Sequence, residues 1–318
     1  MLGLAFFLPS GSYLILPDGA KPLAGKVQVE GERPADDKGG IFYVDVIVRK
    51  ASLLEELIPR LRPEGSELVP DRAIVPPGSN FEERRRQNLR QMARSQQIAA
   101  AVALRQRGLH VRADPEGALI VAVAPDVPAA KQLRPTEVIV AVDGKPVLTP
   151  GDLRRLIAGR KPGASVRLRI RAGGAVRTET VKTIESPDEP GRAIVGIQVE
   201  QSAKIELPID DDIDLGSVGG PSAGLAFALD VLEELGRDVD RGYKVAATGE
   251  IELDGDVAPI GGIAQKTRGA RDAGMDVFLV PAGENARDAR RQADGLRIIP
   301  VESFQQALRA LATLPRKG

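Results

Sequence analysis

Few residues in this chain can do covalent chemistry, and two of them sit in glycine-rich turns. Ser222 lies in Gly219-Gly220-Pro221-Ser222-Ala223-Gly224, and Lys266 follows Gly261-Gly262-Ile263-Ala264-Gln265. The chain has one histidine, His110, and no cysteine. A Ser-His-Asp triad needs an imidazole beside its serine, a cysteine protease needs a thiol, and a zinc site needs His, Cys or carboxylates at ligand spacing. No metal and no cofactor is expected. A serine activated by a lysine is the nucleophilic mechanism these residue types allow most readily.

The Gly-Gly-Pro turn feeds a helix, so backbone N–H groups at the helix start can face the same small volume as the Ser222 hydroxyl. Unpaired donors and the positive end of the helix dipole favour a tetrahedral oxyanion there. Gly220, Pro221, Ala223, Gly261 and Gly262 are the candidate oxyanion and substrate-loop residues. The plainer alternative is that Ser222 only caps the helix. Lys266 begins a second helix in a stretch with apolar flanks, Val257 to Ile263. With an ordinary pKa near 10.4 a lysine is a poor base at neutral pH. Lowering it by about three units through desolvation costs roughly 4 kcal/mol, a cost tolerated mainly where function requires it. The alternative is a solvated surface lysine.

Several elements must position these two residues. Lys26 to Glu30 and Ile41 to Val48 are rich in β-branched residues and separated by a polar, Gly-containing stretch, which predicts a hairpin. From Asn80, which can cap it, a long helix is expected: Leu89, Met92, Ala99 and Ala103 share one face, and Gly108 follows. Residues 109–185 read as short strands, Ala118–Ala124, Glu137–Val142, Val166–Arg171 and Val176–Ile184, broken by a short helix from Pro150 to Ala158. Asp143-Gly144 and Gly173-Gly174 are hairpin turn signals. Ser186-Pro187-Asp188-Glu189-Pro190-Gly191 reads as a linker. Beyond it strands alternate with helices, among them Leu225–Gly236, a helix from about Ala264 and a last one opened by Ser303.

With 318 residues, 42% hydrophobic and 28% charged, the composition fits a soluble globular protein of two domains. Its 44 basic and 44 acidic side chains cancel, so no nucleic-acid partner is expected. Met1 to Leu16 is apolar but broken by Pro9, Ser10 and Gly11. It fits neither a membrane span of about 20 residues nor a signal peptide, which leaves a buried strand or the remnant of a trimmed membrane anchor.

The Ser222 and Lys266 motifs, with Thr248-Gly249-Glu250-Ile251, Gly255 and Pro259-Ile260 between them, resemble the proteolytic domain of the Lon protease family in order and spacing. The resemblance implies Ser222 as nucleophile, Lys266 as general base and Thr248 as a hydroxyl hydrogen-bonding the lysine. Met92 to Ala101 resembles that domain's first long helix. The intervening module resembles a bacterial PDZ domain in Leu119-Ile120-Val121-Ala122-Val123, Val127-Pro128-Ala129-Ala130, Val138 to Val147 and Leu153 to Ile157.

Together these imply a membrane-anchored, PDZ-containing Lon-like serine protease of bacteria with α+β fold, its domains outside the cytoplasm. The expected organisation is an anchor remnant (1–16), the N-terminal part of the protease domain (17–108), an inserted PDZ domain (109–188) and the catalytic part (189–318). Expected partners are polypeptides, flexible or unfolded, and further copies of the chain, since Lon-family domains tend to form hexamers. No nucleotide partner is expected, because nothing matches the G-x-x-x-x-G-K-[ST] loop. A PDZ domain would add a peptide tail as an extra strand, with the carboxylate held by backbone donors near Glu116, Gly117, Ala118 and Leu119. Two departures stand out: Gly219 replaces an aspartate found in many Lon enzymes, and Gln132 to Glu137 lacks the glycines usual in that PDZ turn. The competing reading is a PDZ-based scaffold with an inactive protease domain.

Overall fold

A computed structural model describes residues 8–23, 39–74, 81–187, 189–207 and 221–317. The chain divides into two compact units. The first holds Met1–Leu109, Ile209–Ile251 and Val257–Gly318, and the second holds His110–Pro208 and Glu252–Asp256. The mixed α+β class agrees with the sequence reading.

The first unit opens with β1 (Pro9–Pro22) and β2 (Gly40–Ser52), paired antiparallel. Residues 9–16 are therefore part of a sheet strand, which corrects the expected anchor remnant over that stretch. Leu14 in β1 is fully buried. The apolar residues there serve the core, and no helix among the described residues is long and apolar enough to cross a membrane. β2 pairs with β1 from Phe42 to Ser52; Lys26 to Glu30, its expected partner, lies outside the described residues. Then come α1 (Leu53–Leu57), β3 (Glu67–Pro70), α2 (Asp71–Ile74) and the long α3 (Phe81–Gln106). On α3, Met92, Ser95, Ala99 and Ala103 are buried, as their helical spacing requires. Asn80 and the Leu89 side chain lie outside the described residues.

The second unit contains β4 (Arg112–Val123), β5 (Val138–Val142), β6 (Lys145–Pro146), α4 (Pro150–Ala158), β7 (Ser165–Ala172), β8 (Ala175–Lys182), β9 (Ile184–Glu185), β10 (Ala193–Ile194) and β11 (Ile197–Glu206). The main sheet runs β11-β4-β5-β7-β8, with β6 paired to β5. Ile120, Ile139, Leu168 and Ile170 are fully buried inside it, and Leu153 and Ile157 of α4 close the core. Asp143-Gly144 and Gly173-Gly174 all take positive φ, as two-residue hairpin turns demand. The turn lacking glycine still contains a left-handed residue: Thr136 has φ +76 and donates its N–H to the Ile120 carbonyl.

Three expectations change here. The Ser186 to Gly191 segment, expected as a linker, joins β9 to β10 as a hairpin turn, with Ser186 donating its N–H to the Arg192 carbonyl. Pro and Gly mark turns and linkers alike, so the sequence could not separate them. The module accordingly runs past 188: β11 pairs with β4 from Ile197 to Glu206, and the first unit resumes at Ile209. Finally, Ala118 pairs with both Gln201 and Ile139, and Leu119 with both Glu200 and Val138. Ala118 and Leu119 are thus paired on both sides, while Gly117 pairs only with Ser202. The edge of this sheet on that side is β11.

The first unit then continues through α5 (Gly224–Glu234), β12 (Lys244–Ala247), β13 (Glu250–Ile251), β14 (Val257–Ala258), α6 (Ile263–Asp272), β15 (Val277–Pro281), α7 (Glu284–Gln292), β16 (Arg297–Val301) and α8 (Phe304–Ala312). Its sheet has the order β16-β15-β12-β2-β1-β3. The four strands from β16 to β2 are parallel and the rest antiparallel. α5 is buried from Gly224 to Leu232, as an apolar helix between α3 and the sheet must be. The turn Glu252–Asp256 between β13 and β14 belongs to the second unit, where the buried Glu252 carboxylate accepts from the Gly151 N–H at the start of α4 and from Arg154.

Candidate active site

Ser222 lies in a one-turn 3-10 helix, Pro221–Ala223, that runs directly into α5. Its backbone is held from two sides. The Ser222 carbonyl accepts the Gly249 N–H at 2.8 Å and the Thr248 hydroxyl at 3.0 Å. Gly249 can make that approach because it has φ +151, and a Cβ there would stand 2.6 Å from Val257 Cγ1. The carbonyl before the serine, that of Pro221, accepts from the Ser95 hydroxyl of α3 at 3.3 Å.

Lys266 is on the first turn of α6, 2% exposed. The helix starts at Gly262, whose φ of +68 turns the chain and which has room for little else, a Cβ there falling 3.3 Å from Val46 Cγ1. Gly261, one residue earlier, has open space at its Cβ position. The Lys266 amine donates to the Val44 carbonyl of β2 at 2.5 Å and stands 3.0 Å from Ser222 Oγ. Burial pulls its pKa from 10.5 down to about 8, opposed by the Asp45 carboxylate, which favours the charged form. The desolvated lysine expected from the sequence is therefore present, and the surface alternative does not hold.

The structure thus brings Ser222, Lys266, Thr248, Pro221, Ala223, Gly261 and Gly262 into one region, while Gly220 lies outside the described residues. Thr248 differs from expectation: its hydroxyl donates to the Ser222 carbonyl rather than to the lysine, so it orients the serine's backbone. Sequence reasoning missed Val44, Asp45 and Ser95. Asp45, an acid within the apolar run Ile41 to Val48, left a signal. A backbone carbonyl such as that of Val44 leaves none, and Ser95 is one of several polar residues on α3. Among the described residues, one group of acids, Glu233, Asp238 and Asp240, has carboxylates close enough together to share a cation, and it includes neither Ser222 nor Lys266.

A buried lysine amine thus stands beside a serine hydroxyl at a helix entry whose carbonyls are held by Ser95, Thr248 and Gly249, a geometry in which a neutral amine can take the hydroxyl proton. Residues 212–313 match the Lon protease (S16) C-terminal proteolytic domain and residues 89–183 match a PDZ domain. Each match covers less than half of the chain. It is 36% identical over 113 residues to Lon protease 2 of Bacillus subtilis (strain 168), covering 34% of this chain and 20% of that protein. It is 41% identical over 150 residues to the Lon protease of Chloroflexus aggregans, covering 45% of this chain and 18% of the relative. The chain therefore spans about a fifth of the length of these relatives. Among solved structures, the PDZ domain of the SdrC-like protein from Listeria monocytogenes is 24% identical over 26% of this chain and 87% of its own, with a TM-score of 0.25, too low to add to the domain assignment.

Proposed function

We propose that the chain is a serine endopeptidase that cleaves flexible or unfolded polypeptides with a Ser222–Lys266 dyad and without nucleotide. The observation that carries this reading is the 3.0 Å approach of a buried, weakly basic amine to a serine oxygen. Neutral Lys266 has a lone pair for the Ser222 proton, and its N–H on the Val44 carbonyl keeps that lone pair in line. Ser222 Oγ attacks the peptide carbonyl carbon as its proton passes to the lysine, and backbone N–H groups of the serine turn hold the oxyanion. The resulting ammonium returns the proton to the leaving amine. Water, losing its proton to Lys266, then opens the acyl-enzyme.

The serine–lysine chemistry itself consumes no nucleotide and, on this proposal, substrates reach it already unfolded. For the PDZ domain, an edge strand beside a short helix supports recruitment of a peptide tail by strand addition, on β11.

Casein or a fluorogenic peptide, digested by wild type, Ser222→Ala and Lys266→Arg, tests the dyad. Both variants are expected to lose activity, by about 1,000-fold or more, because arginine stays charged and cannot act as base. Substantial hydrolysis by Lys266→Arg would remove the general-base role. Hydrolysis unchanged in Ser222→Ala would remove the dyad altogether, and wild type without hydrolysis would leave PDZ recognition as the function.

A further inference from the structure

Ser95 is 5% exposed in the middle of α3, and its hydroxyl hydrogen-bonds the Pro221 carbonyl 126 positions away in sequence. A serine in a helix interior is a weak helix former that ordinarily turns its hydroxyl on a carbonyl of its own helix. This one bridges to the residue before the candidate nucleophile. The fit around it is close: a Cβ at Gly224 would stand 3.0 Å from Ser95 Oγ and 3.1 Å from the Ile251 backbone nitrogen.

The geometry of a peptide bond gives this contact a consequence. No peptide among the described residues is cis, and a trans peptide is planar, with its C=O and N–H pointing in opposite directions. Drawing the Pro221 carbonyl toward α3 therefore directs the Ser222 N–H away from α3. The next peptide is set in the same manner, its Ser222 carbonyl drawn toward Gly249 and Thr248 so that the Ala223 N–H points the opposite way. Ser95 and the Thr248–Gly249 pair thus fix two successive peptide planes on either side of the nucleophile's Cα. Between them they set the direction of two backbone donors and of the Ser222 side chain.

We propose that Ser95 is a positioning residue for the reaction: by holding the Pro221 carbonyl it aims the Ser222 N–H as an oxyanion donor and keeps Ser222 Oγ in line with Lys266. The inference rests on the serine-hydrolase reading above. Ser95 neither touches Lys266 nor needs to touch substrate, so its contribution belongs to the transition state and not to ground-state binding.

The test compares full-length wild type, Ser95→Ala, Ser95→Cys and Ser222→Ala on a fluorogenic peptide. It also measures inhibition by a peptidyl boronic acid, which forms a tetrahedral adduct on a serine, and by the matching peptide lacking the boron. Cysteine nearly keeps the volume while weakening the donor, so a folding defect in the alanine variant does not decide the matter; thermal midpoints monitor folding. Folded Ser95 variants are expected to lose about 10-fold in kcat with KM little changed, and to lose boronate affinity by a similar factor while peptide affinity holds. A purely structural role would move both affinities together or neither. If Ser222→Ala is inactive and folded Ser95 variants keep wild-type kcat and boronate affinity, the positioning role falls and the dyad stands. If Ser222→Ala retains activity, the dyad falls and takes the positioning role with it.

Discussion

At the scale of single residues, the pKa of Lys266 governs both rate and stability. With a folded value of about 8, about a tenth of the protein carries the neutral base at pH 7. Peptidase activity is therefore expected to rise about tenfold from pH 7 toward a plateau above pH 9, measured as kcat/KM on a peptide without groups titrating in that range. A flat profile would contradict a general base of this pKa. The stability consequence has a definite sign. The unfolded lysine binds its proton up to about pH 10.4 and the folded one releases it near 8, so the unfolded state holds more protons between those values and stability rises with pH through that window. Below pH 8 the buried ammonium is a standing cost of about 3 kcal/mol. Lys266→Met, which keeps the apolar stem and removes the charge, is expected to abolish peptidase activity and to raise stability at pH 7 by about 2 kcal/mol, the relieved cost of the ammonium less the cost of leaving the Val44 carbonyl without its partner. Denaturant melts at pH 7 and pH 10 check both the gain and the loss of its pH dependence.

At the scale of elements, the nucleophile is held by what its neighbours do to the backbone. α3 and the Thr248–Gly249 segment each grip one carbonyl of the Pro221–Ser222 stretch. The individual motifs were legible in the sequence because glycines and a proline mark them. The grips were not, since a hydrogen bond to a carbonyl across 126 residues leaves no periodicity. Thr248 makes the same point: its type and spacing were readable, but which atom its hydroxyl serves depended on where Ser222 folds. In the second unit, Thr136 adopts φ +76, a conformation that a β-branched residue enters at a cost of about 1–2 kcal/mol. Thr136→Gly is expected to stabilise that unit by about 1 kcal/mol, read as an upward shift of its thermal midpoint. A lowered midpoint would mean that the threonine side chain contributes more than its backbone strain costs.

At the scale of the whole molecule, the two units are interleaved along the chain: the second interrupts the first after Leu109 and again takes the turn Glu252–Asp256. That turn lies between Thr248 and Lys266 in sequence, and its Glu252 is 1% exposed against the start of α4. The sheet order of the second unit yields a further expectation. A peptide with a free C-terminal carboxylate, titrated against labelled protein, should shift backbone amide signals along β11 and the adjoining Val195-Gly196, and leave Glu116 to Leu119 less affected. Larger shifts in β4 than in β11 would mean that the added strand docks elsewhere.

Composition and residue types alone excluded a thiol nucleophile and left a lysine-activated serine as the readiest one, and the Ser222, Thr248 and Lys266 motifs were readable because each depends on local features: glycine turns, helix starts and fixed spacing. The hairpin turns and α4 were readable for the same reason, their signals being carried within a few residues. What only tertiary structure decided was every property that depends on surroundings. Whether Lys266 is desolvated, whether Pro9 to Leu16 is strand or anchor, whether Ser186 to Gly191 links or turns, and which strand forms the sheet edge are all settled by partners distant in sequence. A pKa depends on the dielectric around a group and a strand edge on which neighbours are absent, and neither is a property of a residue's own side chain.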